Sequence, residues 1–265
     1  MKIFSIRLIN FRATMSATVK ADTESLTQHL IDHAVTSIEA SDRFSLPFPH
    51  IFFRDFFPED FYAEMIRSIP TEGYDAITGD GTRMALRLYG DNIGKVDADV
   101  RAMWAAVSAT LTSPEIEAAI RRQLHEGLEI RARGDKVASV DELRLVAKPV
   151  LYRDKDGYQI RPHPDARKKV VTMQLYCPAD DSQKELGTTL YRASLKGLVH
   201  VDSYGLEPVK TLPFLPNVGY AFVVLKAYHS LLKMSWHGRP KIHTPIEQPR
   251  ITLLNTFYVS ENVGF

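Results

Sequence analysis

After about residue 140 the chain changes character, and that change limits what it can fold into. Leu143 to Tyr152, Val170 to Tyr176, Thr188 to Tyr191, Gly219 to Leu225 and Ile251 to Val259 are rich in β-branched and aromatic residues, with Gly, Pro, Asp and Asn clustered between them. Such residues suit a pleated, half-buried surface, and such breaks suit turns. The earlier part has helical periodicity. Residues 23–40 put Leu26, Leu30, Ile31, Val35 and Ile38 on one face behind Thr23, which predicts an amphipathic helix with a hydroxyl cap. Pro58-Glu59-Asp60 opens a second helix running to Ile69, residues 97–111 carry a third, and Ser113-Pro114-Glu115 begins a fourth with a cap and a proline. His50 to Phe53 is expected as one early strand. Helices first and strands later imply an α+β fold, with helices supporting a β-sandwich or barrel.

The chain has 265 residues, 45% of them hydrophobic, enough for a sizeable core. No low-complexity linker divides it. The expectation is one domain over 23–265, with a helical part at 23–139 and a sheet core at 140–260. Residues 1–22 are expected as a leader outside the fold, disordered at the extreme, with Met15 as an alternative start. A formal net charge of +1, with no basic block, gives no reason to expect nucleic acid or an anionic membrane as partner. Nothing approaches the roughly 20 apolar residues that span a bilayer. One cysteine, Cys177, excludes an internal disulfide and fits a reducing compartment, so a cytoplasmic location is expected. Its place in an apolar run marks it as a buried thiol rather than a nucleophile.

The triplet His-x-Asp occurs twice, as His163-Pro164-Asp165 and His200-Val201-Asp202. In extended chain, residues i and i+2 point the same way, so either pair could supply two ligands of the two-histidine, one-carboxylate set that binds non-haem iron(II). His29 and His33, four apart in the first helix, read as a surface pair. Gly79-Asp80-Gly81 reads as a turn, because no phosphate-loop lysine follows.

The residues around the first pair decide between the two. A Gly157-Tyr158 turn precedes His163-Pro164-Asp165, and the apolar strand Val170 to Tyr176 follows it. Then come Gly187-Thr188-Thr189-Leu190-Tyr191, Pro213 to Asn217, Ala221 to Leu225, Ser235-Trp236-His237-Gly238 and Arg250-Ile251-Thr252. This ordered combination, over roughly residues 145–258, resembles the iron(II)- and 2-oxoglutarate-dependent oxygenases of the prolyl-hydroxylase-like branch. The resemblance implies a double-stranded β-helix, or jelly-roll, core with N-terminal supporting helices. It also implies Fe(II) as metal, 2-oxoglutarate as co-substrate and dioxygen as oxidant. His163 and Asp165 become iron ligands, while His200 and Asp202 fall in a polar loop.

Three histidines compete for the third ligand. In the family an arginine lies a little over ten residues beyond that ligand and pairs with the keto acid. Arg250 lies thirteen residues after His237, twenty-one after His229 and seven after His243, which favours His237 and ranks His243 last. The cost is an apparent insertion, Ala227 to Met234, before the ligand. A guanidinium pairs with a carboxylate through two parallel hydrogen bonds, and Thr252, on the same side of the strand as Arg250, could add a hydroxyl. Tyr152 or Tyr158 could donate to the same co-substrate. Since Asp165 is a carboxylate where related halogenases have a small residue, hydroxylation is implied rather than halogenation.

A small-molecule substrate is expected, and a homodimer is compatible with the sequence. Tyr74, Arg83, Arg87 and Tyr89, in the polar stretch 72–95, are candidates for a lid over the substrate, with a solvated loop as the open alternative. Two other classes remain open at this point: a β-sandwich that binds without catalysis, and a cupin-type metal enzyme that uses no keto acid.

Overall fold

In the computed structural model, residues 23–199, 204–240 and 248–262 are described. The leader expected over 1–22, the second pair His200 and Asp202, and His243 all lie outside them. Among the described residues no helix is long and apolar enough to cross a membrane.

Two antiparallel sheets form the frame. The larger takes β1 (Asp42–Phe44), β2 (His50–Phe53), β3 (Asp75–Ala76), β4 (Arg83–Arg87), β5 (Val146–Asp154), β7 (Lys169–Tyr176), β10 (Gly219–Val223) and β12 (Arg250–Tyr258), in the order β1-β2-β10-β7-β12-β5-β4-β3. The smaller takes β6 (Ile160–His163), β8 (Thr188–Ala193), β9 (Leu206–Leu212) and β11 (His237–Arg239), in the order β6-β11-β8-β9.

Period-two alternation assigns the faces of the large sheet. Val171, Met173 and Leu175 of β7, Leu253 and Phe257 of β12, Leu151 of β5 and Ala221 and Val223 of β10 pack on the helices in the main core. The intervening Tyr176, Tyr220 and Phe222 point the other way, where they meet Leu190 and Leu212 of the small sheet and Phe48 and Phe214. Helices thus cover one face of the large sheet and the small sheet covers part of the other. Polar residues interrupt that second face at Thr172, Gln174, Arg250 and Thr252, all buried.

The helical layer comprises α1 (23–39), α2 (Glu59–Arg67), α3 (Arg101–Leu111), α4 (Pro114–Gln123) and α5 (His125–Asp135). The Ser113 hydroxyl caps α4 by accepting from the Ile116 N–H, with Pro114 in the first turn, as the sequence predicts. Helix α5 was not expected. It carries Gly127 and Gly134 and a buried arginine, so its periodicity is weak. That arginine, Arg131, is 1% exposed. It pairs with Asp135 through Nε at 2.8 Å and donates to the carbonyls of Lys169, Val224 and Arg167 at 2.7, 2.7 and 2.8 Å.

Two sequence expectations need correction. The part before residue 140 is not a separate helical layer, because β1 to β4 extend the large sheet at both edges. The stretch 72–95 is not a free lid either. β4 is hydrogen-bonded along its whole length to β5, with Arg83 opposite Asp154 and Ala85 opposite Tyr152. Its alternation is hard to read because only Met84, Ala85 and Leu86 are apolar.

Candidate metal centre and arginine cluster

A cavity of about 410 Å³ opens between the two sheets, lined by Arg83, Tyr152, Asp154, Tyr158, His163, Asp165, Lys169, Thr172, His237, Arg239 and Arg250 among others. The small sheet brings the two histidines together: in the β6–β11 pairing, His237 stands directly opposite His163, and their ring centroids are 4.5 Å apart. Asp165 follows His163 at i+2. Ligand atoms of His163, Asp165 and His237 all lie within 4.8 Å of one another, the one such group among the described residues. Gly238 is needed beside them, since a Cβ there would lie 2.8 Å from the Ile160 carbonyl oxygen and 3.0 Å from the Pro162 nitrogen.

Backbone carbonyls fix both rings. Nδ1 of His163 is 3.0 Å from the Arg161 carbonyl and Nδ1 of His237 is 2.9 Å from that of Ser235. Each Nδ1 must donate there, which leaves each Nε2 as the lone-pair nitrogen. Those Nε2 atoms lie 3.8 and 3.7 Å from the two oxygens of Asp165. Burial brings the His237 pKa down to about 4, so that ring is neutral, as a ligand must be. Burial alone would raise the Asp165 carboxyl, but the Lys169 ammonium beside it outweighs burial and holds it well below the usual range. Lys169 Nζ and the Thr172 hydroxyl both donate to it at 2.6 Å.

Two imidazole nitrogens and a hydrogen-bonded carboxylate on one side of a partly open cavity are donor types suited to non-haem iron(II). The three side chains could hold one ion between them, their ligand atoms all lying within 4.8 Å of one another. His229 is placed elsewhere. Its Nδ1 accepts from the Lys226 N–H at 2.9 Å and its Nε2 is 3.1 Å from Asp135, so it ties the Ala227–Met234 segment to α5.

Arg250, on β12, is 1% exposed. It donates through Nη1 to Asp154 at 3.0 Å and through Nε to the Leu186 carbonyl at 2.7 Å. Its carbon Cζ lies 4.6 Å from the Phe214 ring centroid and 5.5 Å from that of Tyr176. Nη2 of Arg250 and the hydroxyl of Thr252 are buried without a hydrogen-bond partner. Tyr152 is buried against Arg83, 3.9 Å from the guanidinium, and burial raises its hydroxyl to about 12.

Two arginines that the sequence did not mark as site residues join this cluster. Arg83 reaches in from β4, 3.4 Å from Asp154, and donates to the Tyr158 hydroxyl. Arg239, two residues beyond His237 on β11, donates to the Tyr158 carbonyl. Burial and the neighbouring Arg250 charge bring Arg239 down to about 9, so it stays charged at neutral pH. The available signal was the i+2 spacing from His237, which turns both side chains to one side of an extended strand. Cys177 takes no part. It is buried, and burial pushes its thiol up to about 12.

No family model matches the sequence and no curated protein matches it. Solved structures do resemble the fold. One is a prolyl-4-hydroxylase from Pseudomonas putida, 15% identical, covering 87% of this chain and 99% of its own, with a TM-score of 0.43. Another is a prolyl hydroxylase from Trichoplax adhaerens, crystallised with a peptide of hypoxia inducible factor. It is 12% identical, covers 90% of this chain and 91% of its own, and has a TM-score of 0.45. A third is HygX from Streptomyces hygroscopicus with nickel and 2-oxoglutarate bound, 10% identical, covering 80% and 83%, with a TM-score of 0.43.

Proposed function

We propose that this chain is an iron(II)- and 2-oxoglutarate-dependent oxygenase that hydroxylates an unactivated C–H bond in a small molecule. One observation carries the reading: two Nε2 lone pairs and a carboxylate converge in the same cavity as a buried arginine and threonine with unpaired donors. Two facing antiparallel sheets support treating the core as a double-stranded β-helix. The cavity is in the range of small-ligand sites, which span about 300 to 1,000 Å³.

In this reading His163, Asp165 and His237 hold the metal from one side. Bound there, iron(II) supplies the redox centre through which dioxygen decarboxylates the keto acid and oxidises the substrate. Arg250 Nη2 and the Thr252 hydroxyl bind the far carboxylate of 2-oxoglutarate, which satisfies two buried donors. Asp154 holds the Arg250 fork in place from the neighbouring strand. Lys169 Nζ and the Thr172 hydroxyl, both hydrogen-bonded to Asp165, orient that carboxylate. Phe222, 4.6 Å from the His237 ring, closes the inner side against water.

The keto acid separates this reading from a cupin-type enzyme, and metal uptake separates it from a passive sandwich. Anaerobic addition of iron(II) and 2-oxoglutarate is expected to give a weak visible charge-transfer band that neither gives alone. His237→Ala is expected to lose both the band and stoichiometric iron, and His229→Ala to keep both. Absence of the band in the unaltered protein, or its loss only in His229→Ala, sinks the assignment.

A further inference from the structure

The arginine cluster holds more positive charge than one keto acid needs. Three guanidinium groups, those of Arg83, Arg239 and Arg250, face the single carboxylate of Asp154. Arg250 and Arg83 both lie against it. Arg239 is 4% exposed and, among the described residues, makes no ion pair. A buried cation without a counter-charge is costly, so a site built this way is one that an anion completes. If the oxygenase reading holds, on which this inference rests, the far carboxylate of 2-oxoglutarate neutralises one of the two excess charges at Arg250. One excess charge remains.

Geometry locates that charge. Arg83 and Arg239 flank the same ring, their Cζ atoms 4.8 and 4.9 Å from the Tyr158 centroid. Nε of Arg239 is buried without a hydrogen-bond partner, Nε of Arg83 lies 3.4 Å from the carboxylate of Asp154, and both residues line the cavity. Arg239 also lies two residues from His237 on one short strand. At about 3.3 Å per residue, backbone positions two apart are roughly 6.5 Å from each other, so an anion held at Arg239 leaves a nearby carbon facing the metal ligands.

We propose that Arg239, with Arg83 beside it across Tyr158, is a subsite for a carboxylate on the substrate, which is therefore a small organic acid. A single excess charge matches a carboxylate better than a phosphate monoester, and the planar guanidinium pairs with a carboxylate through two hydrogen bonds.

The test titrates protein loaded anaerobically with iron(II) and 2-oxoglutarate with three matched sets: aryl-alkyl and straight-chain monocarboxylates, their primary amides, and the corresponding phosphate monoesters. Perturbation of the charge-transfer band and the shift in unfolding midpoint are read together, the midpoint also on metal-free protein. At least one acid is expected to bind about tenfold or more tightly than its amide, the loss expected for one charged hydrogen bond. Arg239→Gln should erase that preference and change 2-oxoglutarate affinity by less than about threefold. Arg239→Lys, which keeps the charge, should restore part of the preference, and Arg83→Gln should weaken it less. Equal binding of acids and amides, failure of every acid to bind, or tighter binding of the phosphate esters overturns the proposal. So does an Arg239→Gln protein that loses 2-oxoglutarate instead. A band that never forms overturns the oxygenase reading separately, and the acid–amide comparison on metal-free protein still decides whether Arg239 receives a carboxylate.

Discussion

Around His163, Asp165 and His237, the polar atoms turned away from the metal position have protein partners: two backbone carbonyls, a lysine and a threonine. Around Arg250 the opposite holds. Nη2 of Arg250, Nε of Arg239 and the hydroxyl of Thr252 are buried donors without acceptors. The two clusters share one cavity and one fold, yet the protein completes the first and leaves the second to its ligands. The metal cluster can be prepared in advance because backbone carbonyls of the same strands fix the rings. The arginine cluster cannot, since a protein acid satisfying all three guanidinium groups would fill the cavity beside them. Asp154 and the faces of Tyr152, Tyr158, Tyr176 and Phe214 hold the charges in the meantime.

If this contrast is right, substitutions in the two clusters should separate cleanly. The largest effect is expected from Arg250→Lys, which keeps a charge beside Asp154 but loses the planar fork. Its 2-oxoglutarate affinity should fall about a hundredfold, roughly 3 kcal/mol, with iron affinity unchanged. Anaerobic titration of the charge-transfer band measures both, and a loss of iron instead would dissolve the distinction. Thr172→Val removes one of the donors orienting Asp165. Iron affinity should drop about tenfold while 2-oxoglutarate affinity, measured at saturating iron, stays the same. Calorimetry with iron(II) checks the first part. Thr252→Val should have the smallest effect, weakening 2-oxoglutarate about fivefold and making the apo-protein no less stable, because the deleted hydroxyl is unpartnered there. A loss of apo stability larger than about 1 kcal/mol would mean that this hydroxyl already has a partner.

How far the sequence could be read followed the same division. His163, Asp165 and Arg250 stood out through the ordered motifs around them and the resemblance those carry, since the His-x-Asp triplet alone occurs twice. The third ligand was ambiguous, since His229 and His237 both follow the apolar strand of β10. Only the contact between His229 and Asp135, 94 positions apart in sequence, separates their roles. Arg239 went unread, and Arg83 was read only as part of the stretch 72–95, for a related reason. Their meaning depends on Tyr158 and Asp154, which reach them across strand pairings that no local pattern encodes. Most of the helical layer was visible from its periodicity. Helix α5 was not, because its buried face carries Arg131 and Gly127 where a hydrophobic stripe would be expected.

That concealed helix bears on where the working unit begins. Arg131 binds the backbone just before β7, at the first residue of β7 and just after β10, a span that includes the turn between Asp165 and Lys169. The change of character near residue 140 suggests a natural place to cut, with everything catalytic downstream of it. Cutting there would release three carbonyls at the back of the metal cluster and remove strand β4 with Arg83. The C-terminal segment on its own would therefore contain His163, Asp165 and His237 and still lack the means to hold them in register.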